Sequence, residues 1–558
     1  MKILSYCCII AGGALMMACR PAMQTGAAYF ENFTYEGNDA IYADNPLPGT
    51  DAVYNPILPG WYSDPSMCTN GEGDYYLVTS TFSYFPGVPI FHSRDLVNWK
   101  QIGNVLDRPS QLVGLDRQHI SGGIFAPDIK YNPANKTYYM ITTNVGAGNF
   151  VVKTKDPAGP WSDPILLPQV QGIDPSLFFD EDGKAYIVNN DDAPDGKPEY
   201  DGHRTIRIVE YDTENDCTIG ERKIIINKGV DPSKKPIWIE GPHLYKIGGK
   251  YYLMAAEGGT GDMHSEVIFR SDSPMEGYEP WGKNPILTQR HLPADRTDPV
   301  TCAGHADILQ TPEGDWWAVF LGCRPTRKGF ENLGRETFMM PVRWSEDGFP
   351  IITEGDETVP VVVRHPGTTV GDNPTFGNFK TVDEFDGNAL GLEWMTLRGP
   401  ADDLYTLEKG NLVLNCSEKN ATQYETPALV LRRVQHHAFC ASTKMRFTPA
   451  DEEAAGLLLF KDERHQYFLK VCLVGGEKAV VVEKIGAEPS VLGTVFLKDT
   501  SSPVELFINS KDGLTFNFLC AISGKEPEVV AQEVDASYLS TAVAGGFTGT
   551  TVGPYAIK

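Results

Sequence analysis

Apolar and polar positions alternate in short runs along most of this chain, and long helical periodicities are absent from residues 50–350. One figure recurs there. It reads YSDPSMCTNGEGDYYLVTS from 62, FAPDIKYNPANKTYYMITT from 125 and IDPSLFFDEDGKAYIVNN from 173. It returns as IEGPHLYKIGGKYYLMAAE from 239 and GHADILQTPEGDWWAVFLG from 304. Each copy has a short polar start, two or three apolar residues, a turn rich in Gly, Asn or Asp, and an aromatic inside a second apolar run. The step from Pro65, Pro127, Pro175, Pro242 or Ala306 to Tyr76, Tyr139, Tyr186, Tyr252 or Trp317 is 11, 12, 11, 10 and 11 residues. Two alternating strands joined by such a turn make a hairpin. Five copies predict a radial array of sheets, a five-bladed β-propeller over 50–350.

Residues 351–380 carry Pro, Gly and few charges and read as a linker. From 381 to 558 short alternating strands resume (NLVLNC, CASTKMRF, YFLKVCL, VELFIN, LTFNFLC) without helices, which predicts a β-sandwich. The expected class is therefore all-β, a propeller followed by a sandwich.

Composition narrows the partners. With 48 Lys+Arg against 73 Asp+Glu the net charge is −25, a surface that repels phosphate backbones and argues against nucleic acid. The N-terminus, residues 1–19, has a positive Lys2 and an apolar core from Ile9 to Met17, the form of a secretory signal. It ends in Leu15-Met16-Met17-Ala18-Cys19, which resembles a bacterial lipobox with Met16 where Leu, Val or Ile is usual. The expectation is export with Cys19 lipidated, on the periplasmic side in preference to the cell surface; an ordinary cleaved signal is the other reading. The membrane would then be touched only through that lipid. Of the eight cysteines beyond it, none forms CxxC, and buried free thiols are expected. Cys302 and Cys323 are the pair to test for a bridge.

Asp64, Asp174 and Glu240 each open the innermost strand of a different blade. In a propeller those strand starts converge on the axis. One acid before Pro is an ordinary turn cap. Three in register at one end gather like charges that perturb one another, which calls for a cation or acid–base chemistry. Glycoside hydrolysis needs two carboxyl groups in opposite states, one protonated and one ionised, and a third can keep the donor's pKa raised.

The segments NPILPGWYSDPSM, SYFPGVPIFHSRDLVNW, GGIFAPDI, IDPSLFF, WIEGPHLYK, GHADI and LGRETF, in this order, resemble glycoside hydrolase family 43. The downstream DEFDGNALGLEW and AGGFTG resemble the concanavalin-A-like (jelly-roll) sandwich of its xylosidase-like members. The resemblance implies an inverting, exo-acting enzyme on arabinose- and xylose-containing oligosaccharides. It implies Asp64 as general base, Asp174 as pKa modulator and Glu240 as general acid. It further implies Arg335 at the sugar hydroxyls, Phe82 and Phe125 as pocket walls, Phe547 lent by the sandwich, and His305 near a structural calcium ion. The chemistry needs no cofactor. Phe125 stands where Trp is common, and the long polar insertion from 188, VNNDDAPDGKPEYDGHRTI, lacks a tryptophan that many such xylosidases carry there. A lipid-anchored glycan-binding protein with a non-catalytic propeller is the alternative reading.

Overall fold

The computed structural model describes residues 25–558, so the signal segment and Cys19 lie outside the described residues. Five antiparallel sheets form the blades. Their innermost strands are Ser66–Thr69, Asp128–Asn132, Ile173–Phe179, Glu240–Ile247 and Thr301–Gln310. Each innermost strand touches the next, and the fifth returns to the first. The expected turns are present. In the fourth blade Gly248 and Gly249 both take positive φ between Ile247 and its partner Lys250, the two-residue hairpin that L side chains disfavour.

The second strand of each blade explains why the circle closes. Successive residues of a strand point to opposite faces, and here both faces are apolar. Met140 packs toward the first blade with Val78 and Ile90, while its neighbour Ile141 packs toward the third with Ile187 and Val209. Val188 then meets Leu253 and Phe269, Met254 meets Ala318 and Phe320, and Val319 meets Leu77 and Phe91. Five apolar layers therefore lie between five pairs of blades, and no blade can bury its surface alone.

The sandwich stacks two sheets over one core that includes Phe33, Leu457, Leu469, Val480, Ile508, Phe518 and Val552. Its strand Phe439–Arg446 alternates buried and half-buried residues along its whole length, as a one-sided sheet requires. Two features depart from the linear order of the sequence. Strand Ala27–Gly37, which precedes the propeller, lies in the sandwich between Leu412–Asn415 and Phe439–Arg446. Within 351–380, Val362–Arg364 pairs with Ala52–Tyr54, so this stretch straps the propeller's ends together. The two domains interlock further through Arg433. Its guanidinium lies 4.1 Å from the Trp61 ring centroid and 4.0 Å from that of Tyr62, and its Nε donates to the Trp61 carbonyl at 2.7 Å.

Candidate active site

The strand starts that carry the acids are not regular. Register shifts fall between Ile173 and Ser176, between Glu240 and His243, and between Gly304 and Asp307. Asp64, Asp174 and His305 take left-handed φ of 53°, 51° and 54°. Such bulges re-aim a side chain that a straight strand would place elsewhere, and strained residues of this kind gather at functional sites. Gly241 is needed here, because a Cβ on it would lie 2.4 Å from His305 Nε2.

The result is a cavity of about 300 Å³ at one end of the propeller, lined among others by Asp64, Asp174, Glu240, His305, Arg335, Phe82, Phe125 and Phe547. All eight residues singled out from the sequence thus meet in one place. Phe547 comes from the sandwich. Its ring sits 5.9 Å from Phe82 and 5.8 Å from Phe125, and its N–H donates to Ser121 Oγ at 3.0 Å. The Arg335 guanidinium lies 5.0 Å from the Phe547 ring and 3.7 Å from Asp64 Oδ1.

The three carboxyls are buried alike and yet differ in proton affinity. Burial raises all of them. At Asp64 this is outweighed by the Arg335 charge, by His305 Nδ1 at 3.3 Å, and by Ser80 Oγ, which donates to Oδ2 at 2.5 Å; its carboxyl is held well below the usual range. Asp174 is pushed up to about 6 by burial, with Asp64 adding to the rise and His305 opposing it, while it accepts the Gly241 N–H at 3.3 Å. Glu240 is pushed up to about 8, first by burial and then by the Asp174 charge. One pocket therefore holds an ionised and a protonated carboxyl at neutral pH. A larger cavity of about 540 Å³ lies at the domain junction, lined by Asp39, Arg296 and Arg324 among others. There Arg324 is taken up by Glu336 and Asp39, and the three perturbed carboxyls are elsewhere.

Known proteins resemble both domains of this chain. The profile of "Glycosyl hydrolases family 43" matches residues 53–350, and that of "Beta xylosidase C-terminal Concanavalin A-like domain" matches 382–558. The chain belongs to glycosyl hydrolase family 43. Like its family it is a glycosidase. It is 40% identical over 518 residues to a xylosidase/arabinosidase of Butyrivibrio fibrisolvens, covering 90% of this chain and 95% of that protein. It is 36% identical over 509 residues to a non-reducing end alpha-L-arabinofuranosidase of Bacteroides ovatus, covering 90% of each. Among solved structures, a family 43 subfamily 12 protein retrieved from a capybara gut metagenome superposes with a TM-score of 0.89 at 44% identity. That match covers 96% of this chain and all of the other.

The calcium ion expected near His305, reached through water, would share the axis with a protonated ring and a lysine. Burial pushes the His305 imidazole down, but the hydrogen bond to Asp64 and the charges of Asp64, Asp174 and Glu240 lift it to about 9. A protonated ring offers no lone pair for direct ligation, so its contact with a metal would run through water. Below it lies a cavity of about 10 Å³, lined by His305, His243, Asp64, Asp128 and Asp174, with room for about one water. Deeper on the axis, Lys130 Nζ already bridges Asp128 Oδ1 at 2.9 Å and Asp307 Oδ2 at 3.0 Å. The channel carries its own cation.

Several residues of the site escaped the sequence reading. Lys130 lies on the second blade's innermost strand, two residues from Asp128, where an internal charge could have been noticed. Glu266 is buried and pushed up to about 8 by that burial, and its Oε2 accepts the Ala306 N–H at 2.9 Å, holding the bulge that aims His305. Trp238, two residues before Glu240, also lines the pocket. Cys302 and Cys323 are free thiols side by side, and all eight cysteines of the described residues are unbridged.

Proposed function

We propose that this protein is an exo-acting, inverting glycosidase that removes terminal pentoses, β-D-xylose and/or α-L-arabinofuranose, from hemicellulose-derived oligosaccharides. The observation that carries the reading is the opposite protonation of Glu240 and Asp64 in one pocket. Glu240, still protonated at neutral pH, gives its proton to the glycosidic oxygen as that bond breaks. Asp64, ionised, takes a proton from a water, whose oxygen attacks the anomeric carbon from the opposite face. Asp174 bears on Glu240 by charge and, through the Gly241 N–H, fixes the backbone beside it. Arg335 supplies donors to the sugar hydroxyls, and Phe82, Phe125 and Phe547 wall the ring. The pocket volume is at the small end for ligand sites, which suits one sugar and a single-residue exo action. The activities for which the relatives are named, xylosidase/arabinosidase and alpha-L-arabinofuranosidase, support the pentose class.

The test sets p-nitrophenyl β-D-xylopyranoside beside p-nitrophenyl α-L-arabinofuranoside, with wild type and Glu240→Ala. Release by the wild type that the variant loses supports the acid and names the sugar. The first-formed anomer, followed by proton NMR, must be inverted. Retention, or full activity in the variant, would refute the assignment. The N-terminal segment ending in Cys19 supports export and lipid attachment; incorporation of labelled palmitate, abolished by Cys19→Ala, is the corresponding check.

A further inference from the structure

Trp238 has no evident structural reason to be where it is. It is 38% exposed and holds a left-handed φ of 50°, a conformation that a bulky residue adopts only under constraint. A core tryptophan would be buried and relaxed. This one lines the mouth of the catalytic cavity beside Gly259 and Thr260. It stands two residues before Glu240, the proposed acid, and lines the same cavity.

The ring is braced. The Arg204 guanidinium lies 4.7 Å from its centroid. Arg204 in turn donates to Asn190 Oδ1 from Nε at 3.1 Å and Nη2 at 2.6 Å, and pairs with Asp192. Asn190 Nδ2 donates to the Ile239 carbonyl at 2.6 Å, which ties the brace to the backbone between Trp238 and Glu240. The Trp238 N–H donates to the Gly202 carbonyl at 2.8 Å. Asn190, Asp192, Gly202 and Arg204 all belong to the long polar insertion after the third repeat's hairpin. That insertion brings no tryptophan of its own; it holds one that the next blade supplies.

We infer that Trp238, held by Arg204, is the platform for the saccharide unit on the leaving-group side of the scissile bond. The ligand class is a pyranose residue of the parent oligosaccharide, whose flat C–H face packs on an indole while its hydroxyls stay in water. The cation on the indole keeps the ring from turning with the mobile sugar. This inference rests on Glu240 being the acid, and Trp238 is a specificity-determining residue rather than a catalytic one.

The experiment compares two substrates that share the terminal sugar but not the leaving group: β-1,4-xylobiose against β-D-xylopyranosyl fluoride. An arabinofuranosyl-xylotriose against α-L-arabinofuranosyl fluoride makes the second pair. Full-length wild type, Trp238→Ala, Trp238→Phe and Arg204→Ala are assayed. In Trp238→Ala the ratio of kcat/KM for the oligosaccharide to that for the fluoride falls about tenfold, through KM. In Trp238→Phe and Arg204→Ala it falls in the same direction and less. An unchanged ratio, with both substrates lost equally, would overturn the inference and make Trp238 a support for the strand. A second measurement does not need turnover. In a Glu240→Gln background, titration calorimetry should show the oligosaccharide binding about tenfold more weakly once Trp238→Ala is added. Equal affinity would also overturn it. Failure of the underlying reading shows separately, as oligosaccharide hydrolysis that survives Glu240→Ala.

Discussion

Glu240→Gln should abolish hydrolysis and make the protein more stable, by an amount that depends on pH. The wild-type carboxyl is pushed from an ordinary 4.5 to about 8, chiefly by burial and next by Asp174. At 1.36 kcal/mol per pH unit that gap is worth about 5 kcal/mol. The sign follows from proton counting. Between pH 4.5 and about 8 the folded protein keeps a proton that the unfolded chain has released, so stability falls as pH rises through this window and levels off above it. Glutamine has the same shape and no charge, so the variant escapes the loss. Its advantage is near zero at pH 4.5, about 3 kcal/mol at pH 7 and largest at pH 8 and above. Urea denaturation followed by tryptophan fluorescence, at several pH values from 4.5 to 8.5, measures this as a growing gap between midpoints. In parallel, wild-type kcat/KM declines above about pH 8 as Glu240 loses its proton. A gap that does not change with pH, or a variant less stable than wild type at pH 8, would refute the claim that this carboxyl is neutral because it is buried.

Other consequences can be measured alongside. Asp174→Asn removes the second cause of Glu240's elevation, so the alkaline limb of kcat/KM moves to lower pH; an unmoved limb would deny Asp174 its part. Phe547→Ala opens the wall lent by the sandwich and lowers kcat/KM about tenfold, at about 1.5 kcal/mol for a half-buried Phe, with the loss mainly in KM. Lys130→Met leaves Asp128 and Asp307 buried against each other, and denaturation should show a loss of about 3–5 kcal/mol. Wild-type activity and Tm should survive dialysis against EDTA if the Lys130 ammonium, paired with Asp128 and Asp307, is the cation of the axis; a loss restored by calcium would put a metal there.

Much of the fold was legible because hairpins are local. Turns such as Gly248-Gly249 and the alternation around Tyr139, Tyr252 and Trp317 lie within about 12 residues of their partners. So the propeller could be read from spacing, and the sandwich from strands such as Phe439–Arg446. The strand Ala27–Gly37 was not legible as a sandwich strand, since its partners Leu412–Asn415 and Phe439–Arg446 lie some 400 residues away and no local pattern encodes that pairing. The site divides the same way. Asp64, Asp174 and Glu240 showed themselves by recurring at one place in a repeat, and Phe547 by resemblance. Trp238, Glu266 and Lys130 carry no repeat, and their roles come from neighbours contributed by other blades.

What the sequence determined by itself is which side chains open the innermost strands, and hence that three acids share one end of the channel. It could not decide which of them holds a proton. That depends on the sum of burial with Arg335, His305 and Ser80 around Asp64, and of burial with Asp174 around Glu240. These groups come from four of the five blades, with Phe547 lining the pocket from a second domain. Coulomb energies and desolvation depend on distance and exclusion of water, not on order along the chain, so only the tertiary structure sets them.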